Sequence, residues 1–275
     1  MSIFVDKVAI VTGAGSGIGK GLAEALARVG AQVVICDVNS ERIEKTAAGI
    51  RAAGGQATAL RVDVSDYDAV KKMIEDTVSA HGRVDYLFNN AGIAIAGPAT
   101  SFSIDDWRQV IGVNLFGVVH GVAVAYPIMV KQGFGHIINT ASVEGLTPFP
   151  ATAIYVTSKY GVVGLSNALR IEGAAHGVKV SAVCPGYVKT AIFTDSKFIN
   201  VDRQKQLEVI PEWVGVTPEQ CAKIILRGVE RNRAFIVVTL FAKFLWLLAR
   251  LSPNLVIWIM KKMYRNSIQK GVIQI

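Results

Sequence analysis

Cysteine is scarce in this 275-residue chain: Cys36, Cys184 and Cys221 are the three, widely spaced and without a CxxC pair. An odd count at such spacing excludes a disulfide framework and suits a reducing compartment, the cytoplasm. Histidine is as sparse. His81, His120, His136 and His176 lie far apart and form no ligand-spaced pair, so no metal is expected. Charged residues make up 18% of the chain against 51% hydrophobic ones, which excludes a disordered chain and supplies a sizeable core. No cleavable leader is expected, because Lys7 and the apolar Val8–Val11 run straight into a glycine-rich turn. Acid is missing altogether from residues 231–275, which carry Arg231, Arg233, Lys243, Arg250, Lys261, Lys262, Arg265 and Lys270. The whole net charge of +8 therefore resides there, and residues 1–230 are neutral with 21 basic and 21 acidic residues. A basic tail of this kind points to a partner of its own.

Short apolar runs alternate with helical patterns along most of the chain. Strands are expected at Val8–Val11, Gln32–Cys36, Ala57–Val62, Val84–Phe88, His136–Thr140, Lys179–Cys184 and Phe235–Val238. Helices are expected at Gly17–Val29, Ser40–Ala53 with Ser40 as N-cap, Asp66–His81, Ile104–Lys131, Ile154–His176 and Pro218–Glu230. Such alternation implies an α/β fold with a parallel sheet covered on both faces. Residues 1–238 are read as one domain holding the cofactor and substrate sites together, and 239–275 as a helical extension. The least regular stretch, Gly186–Thr217, is long for a connection and suits a lid or binding loop.

Between the first strand and helix stands Thr12-Gly13-Ala14-Gly15-Ser16-Gly17-Ile18-Gly19. Glycines permit close backbone approach, and the helix start offers free N–H groups and a positive dipole end to a pyrophosphate. A flexible turn is the plainer reading. The common GxGxxG spacing fails, because Ile18 stands where the third glycine would fall; the pattern is TGxxxGxG. Asp37 ends the second strand, 18 residues after Gly19. A carboxylate there can accept hydrogen bonds from a ribose and repel a 2′-phosphate, and neither Ser16 nor Val38 adds a positive charge. NAD is expected over NADP, although Asp37 could be a solvated turn residue. Further on, Tyr155 and Lys159 are four apart and share a helix face. An ammonium and an oxidised nicotinamide would stabilise phenolate and suit Tyr155 to general base work near neutral pH. Taken alone the pair is weak evidence, since helices carry such pairs by chance.

Taken together, Thr12–Gly19, Asp63-Val64, Asn89-Asn90-Ala91-Gly92, Asn114, Ser142, Tyr155-x-x-x-Lys159 and Cys184-Pro185-Gly186 stand in the order and spacing of the short-chain dehydrogenase/reductase family, which the chain resembles over roughly residues 5–240. The resemblance implies a Rossmann-like doubly wound sheet of about seven strands, with the active site at the carboxyl ends of the strands. It implies Tyr155 as the acid/base, Lys159 lowering its pKa and holding the nicotinamide ribose, and Ser142 orienting the substrate oxygen. Asn114 would hold a relay water near Lys159, or merely satisfy a backbone carbonyl. Gly13, Ser16, Gly17, Ile18 and Gly19 would receive the pyrophosphate. Asp63 and Val64 would flank the adenine, unless Asp63 caps a helix. Asn90, Ala91 and Gly92 would line the cofactor cleft, or form a strand-end turn. Pro185, Gly186, Val188 and Thr190 would border the nicotinamide, with Val188 and Thr190 at its carboxamide.

Ile95, Val143, Phe149, Tyr187 and Phe193 are the residues expected to face substrate, with Glu144 as a polar exception. Their apolar character favours a hydrophobic secondary alcohol and its ketone. An NADP-dependent carbonyl reductase is the alternative; a non-catalytic nucleotide sensor would more often lack the tyrosine or lysine. The two helices at 104–131 and 154–176 pair across a dimer axis in the resembling family, so a homodimer or homotetramer is expected. The tail lacks any nucleic-acid module. Family members commonly end soon after the last strand, whereas this chain continues with Phe241, Phe244, Leu245 and Leu248 at helical spacing, a break at Ser252-Pro253-Asn254 and a second apolar run, Leu255–Met260. Its longest uncharged stretch, Leu251–Met260, is too short for a span, which needs roughly 20 residues. Peripheral membrane contact through 239–265 is expected, or else packing over the cleft or a subunit interface.

Overall fold

The apolar run Val8–Val11 becomes β1 (Val8–Thr12), every residue of which is buried, as a strand covered on both faces requires. This computed structural model describes residues 2–208 and 215–274, and the backbone alone at 193, 194, 207 and 208. In chain order the elements are β1, α1 (Gly17–Arg28), β2 (Gln32–Asp37), α2 (Ser40–Ala52), β3 (Gln56–Arg61), α3 (Tyr67–His81), β4 (Tyr86–Asn89) and β5 (Ile95–Ala96). There follow α4 (Ile104–Ile111), α5 (Gly117–Gln132), β6 (Gly135–Thr140), α6 (Ala153–Ala174), β7 (Val178–Cys184), α7 (Ile192–Asp195), β8 (Lys197–Phe198), α8 (Arg203–Glu208), α9 (Pro218–Glu230), β9 (Phe235–Val237), α10 (Leu240–Leu251) and α11 (Pro253–Gln269).

Seven strands form one parallel sheet in the order β3-β2-β1-β4-β6-β7-β9. The order reverses beside β1, so the loops after β1 and β4 face each other at the carboxyl edge, where a crevice forms. One apolar cluster, with Leu22, Leu26, Cys221 and Ile225, packs α1 and α9 on one sheet face. A second, with Ile74, Val118, Met129 and Val162, packs α3, α5 and α6 on the other. This is the doubly wound Rossmann-like arrangement. β5 and β8 make a separate two-stranded pair that ties the long connection 186–217 to the region after β4.

Three local expectations change. The helix expected over 104–131 is interrupted by a π turn at Gly112–Phe116, which carries Asn114 inward. Asn39, not Ser40, caps α2, because its side chain reaches the Arg42 N–H at 2.9 Å. Asp66 caps α3, while Asp63 instead accepts from the backbone N–H and hydroxyl of Ser65.

The chain after β9 is bound to the body. Thr239 caps α10, and a side chain on Gly186 would collide with the Thr239 hydroxyl. Ala242, Leu245, Val256 and Met260 enter the main core cluster. The tail then returns to the connection 186–217, with Val201 bridging Ile273 and the Gln274 N–H donating to the Asn200 carbonyl at 2.9 Å. Among the described residues one helical stretch, Ile104–Gln132, is long and apolar enough to cross a membrane; it packs in the core through Val118, Val122, Ala125 and Met129.

Candidate active site

The glycine loop is shaped by contacts that leave no room for side chains. A Cβ on Gly13, which has φ +64°, would lie 2.7 Å from the Ala91 Cα, and one on Gly19 would overlap the Gly13 carbonyl. Thr12 and Asn90 hold the loop: the Thr12 hydroxyl accepts from the Asn90 and Ala91 N–H groups, and the Asn90 amide donates to the Thr12 carbonyl. Ser16 occupies the N-cap of α1 with no side-chain hydrogen bond. The first-turn N–H groups, around Gly17, Ile18 and Gly19, thus keep their donors for an external acceptor. Both the tight cradle and the open donors fit the pyrophosphate of a dinucleotide.

At the end of β2, Asp37 accepts from the Gly15 N–H at 3.0 Å and the Asn39 N–H at 2.9 Å. Each carboxylate oxygen retains a second lone pair. Arg42 stands beside it, one turn into α2, and its guanidinium donates to Asp195 of α7 at 2.8 Å. That ion pair, with Asp37 and Glu41 nearby, raises the Arg42 pKa further. Sequence reasoning missed Arg42, since nothing local links it to a partner so distant in the chain. Val64 is buried against Gly117 of α5.

At the other end of the cleft, α6 presents Tyr155 and Lys159 toward the end of β6. The Lys159 ammonium donates to the Thr140 carbonyl at 2.9 Å and lies 5.4 Å from the Tyr155 ring centre. Asn114 is fully buried. It accepts from the Ile93 N–H at 2.8 Å and donates to the Ile93 carbonyl at 2.9 Å and to Ser158. A methyl group on Gly92 would sit 3.3 Å from Asn114 Oδ1 and 3.5 Å from Lys159 Nζ, so these atoms flank one small space. Ser142 caps the short turn Val143–Gly145 by accepting from the Glu144 N–H, and lies near enough to Tyr155 to lower its pKa.

Burial dominates the electrostatics. It lowers the Lys159 pKa to about 8, with Cys184 and Glu144 opposing. Tyr155 moves up, first by burial and then by the charge of Glu144, while the Ser142 hydrogen bond pulls it down. Desolvation of the phenolate is thus the largest influence on Tyr155. Glu144, half-buried, accepts from the Thr152 hydroxyl at 2.7 Å. Burial raises its pKa to about 7, against the Thr152 hydrogen bond and Lys159.

The remaining expected residues divide. Pro185 accepts from the Val143 N–H, and Val188 is buried and bridges Val216. Thr190 lies over Gly17, its methyl within 3.1 Å of where a Cβ there would stand. Ile95 is buried in a small cluster with Val110 and Ile154, Val143 in the main core, and Phe149 packs on its margin. Tyr187 packs against Gly215. The Phe193 side chain lies outside the described residues. All three cysteines are free and buried, and the Cys36, Cys184 and Cys221 thiols are pushed up to about 12, mainly by burial.

The model of the short chain dehydrogenase family matches residues 7–198. A protein named oxidoreductase SadH from Mycobacterium tuberculosis is 36% identical over 276 residues, covering 99% of this chain and 97% of its own. It thus spans the extension after β9, which is not peculiar to this chain. Meso-2,3-butanediol dehydrogenase of Serratia marcescens is 42% identical over 68% of this chain and 73% of its own length. Cyclohexanol dehydrogenase of an Acinetobacter strain is 36% identical over 85% and 91%. Among solved structures, a short chain dehydrogenase/reductase from Burkholderia phymatum in complex with NAD superposes with a TM-score of 0.84 at 33% identity, covering 93% of this chain and 96% of that one.

Proposed function

Since the chain belongs to the short chain dehydrogenase family and is an oxidoreductase built for a nicotinamide cofactor, we propose that it interconverts a hydrophobic secondary alcohol and its ketone with NAD, with Tyr155 as acid/base. The observation that carries this reading is the clustering of four residues: the Lys159 ammonium lies 5.4 Å from the Tyr155 ring centre and shares the surroundings of Gly92 with Asn114, while Ser142 is near enough to Tyr155 to lower its pKa. The bound nicotinamide supplies the hydride acceptor for oxidation and the donor for reduction. In oxidation the Ser142 hydroxyl holds the substrate oxygen, and Tyr155 Oη takes the carbinol proton. Tyr155 must enter this step as phenolate and leaves it as phenol; Lys159, positively charged below about pH 8, would stabilise the phenolate before the proton is taken. Asn114, anchored on Ile93, keeps the space around Lys159 Nζ open for a relay water. The apolar character of Val143, Phe149 and Tyr187 favours an apolar substrate, and the cyclohexanol enzyme among the relatives supports that class.

Asp37 supports NAD, because its open lone pairs face the adenosine end of the loop. The NADP reading has one observation in its favour: Arg42 stands beside Asp37 and would supply a cation if it left Asp195. In this reading the catalytic domain spans 1–238, the location is the cytoplasm, and the partners are further copies of the chain and, through 239–265, a membrane surface. Self-association is supported by Phe116, Tyr160 and Ile171, exposed on the helices that the family pairs. A screen of hydrophobic alcohols and ketones with NAD(H) and NADP(H) tests the function. Turnover with NAD should exceed that with NADP. Replacing Asp37 by Ser and Val38 by Arg should raise NADP affinity about tenfold or more. Failure of every alcohol to reduce NAD would favour the non-catalytic sensor instead, and an unchanged cofactor ratio would remove Asp37 from the ribose.

A further inference from the structure

α10 has two apolar faces, which an ordinary surface helix does not. One face, with Ala242 and Leu245, enters the core. Opposite it stand Leu240, Phe244, Leu247 and Leu251 at helical spacing, 82%, 62%, 55% and 75% exposed. α11 also exposes Leu255, Ile257 and Trp258, and Lys262 lies 5.6 Å from the Trp258 ring centre. Along one flank of α10 runs a groove of about 320 Å³, floored by Phe235, Val237 and Trp246 and rimmed by Arg233, Lys243 and Arg250. The Arg250 guanidinium lies 5.5 Å from the Trp246 ring centre. Among the described residues, no cation of 231–275 has an ion pair and no acid stands within the segment.

We infer that α10 and α11 dock the protein on an anionic lipid bilayer, with Leu240, Phe244, Leu247, Leu251 and Trp258 in the acyl boundary and a lipid phosphate in the Arg233–Lys243–Arg250 groove. The charge chooses the occupant. Two copies meeting through this face about a twofold axis would set Arg233, Lys243 and Arg250 against their own copies, whereas a bilayer bearing phosphate groups neutralises them. Large apolar side chains beside unpaired Lys and Arg are what an interfacial helix requires. The surface is also joined to the cleft. α10 starts against Gly186, and residues 273 and 274 pair with 200 and 201 of the long connection 186–217. Docking would therefore set that loop close to lipid-dissolved alcohols; this inference deepens the membrane contact of the proposed function and is independent of its chemistry.

The test is flotation of the full-length protein with vesicles of phosphatidylcholine alone or mixed with phosphatidylglycerol, at low and high salt. Turnover of a water-soluble secondary alcohol with NAD, measured in parallel, reports on the fold and on the proposed reaction. Binding is expected only with the anionic vesicles and should weaken at least about tenfold at high salt. Phe244→Ser with Leu247→Ser, and separately Arg233→Gln with Lys243→Gln and Arg250→Gln, should each weaken it about tenfold or more. Absence of the wild type from anionic vesicles at low salt overturns the inference. So does salt-independent binding that phosphatidylcholine alone supports equally. An oligomer that the Phe244/Leu247 variant dissociates, without vesicle binding by the wild type, would assign the face to a second copy. A vesicle-bound but inactive protein would count against the proposed function alone.

Discussion

Residues 1–230 and 231–275 handle polar groups in opposite ways. The first region is neutral, and all nine ion pairs among the described residues lie within it. Its motif residues hold one another: Thr12 and Asn90 pin the glycine loop, Asn114 clamps Ile93, and Lys159 reaches Thr140. The second region uses its inner face to complete the core and leaves eight cations and a row of leucines and aromatics facing outward. Catalytic geometry therefore depends on contacts internal to the body. The extension contributes to the fold through one face only.

The largest test of that contrast removes one atom from the body. Tyr155→Phe keeps the ring and loses the ionisable oxygen, so kcat should fall about a thousandfold. NAD affinity by fluorescence titration should stay near that of the parent; near-parental turnover would place the acid/base elsewhere.

The next largest effect asks whether the inner face of the extension belongs to the core. Leu245→Ala removes a side chain 6% exposed and should cost about 2–4 kcal/mol in urea unfolding. Leu240→Ala, on the outward face, should stay within about 0.5 kcal/mol. Equal costs would erase the distinction between the faces.

A pH effect of intermediate size belongs to the body. His136 is buried, its Nε2 2.8 Å from the Ser181 hydroxyl, and burial lowers its pKa from 6.5 to about 3, with Lys179 and Arg170 adding to the shift. The unfolded chain takes up this proton first. The stability it contributes is present above pH 6.5 and is lost as pH falls toward 3. Between pH 7.5 and 5 the loss should be about 2 kcal/mol, and His136→Gln should flatten that part of the profile. An unchanged slope in the variant would assign the acid sensitivity to other groups.

The smallest test concerns the start of α2. Asn39→Ala should cost about 1 kcal/mol, because it frees the Arg42 N–H, whereas Ser40→Ala should cost little. The reverse order in thermal unfolding would restore Ser40 as the cap.

Much of this is legible in the order of the residues. Strand and helix periodicity is local, so β1, β2, β6 and β7 fall within two residues of their expected ranges. Motif spacing alone selected Thr12–Gly19 and the Tyr155/Lys159 pair, because a glycine-lined turn and a shared helix face need only neighbouring residues. Asn39 and Ser40 have nearly equal capping propensity, and only one position of helix register separates them. What needed the tertiary structure is everything made by distant segments meeting. The π turn that sends Asn114 to Ile93, the Arg42–Asp195 bridge and the return of Ile273 to Val201 join residues far apart in the chain. The same holds for protonation. Tyr155 is raised, and Glu144 and Lys159 move to about 7 and about 8, because of how deeply the fold buries them. Residue order specifies which groups can ionise; the cost of charging them is set by how much water the assembled fold excludes.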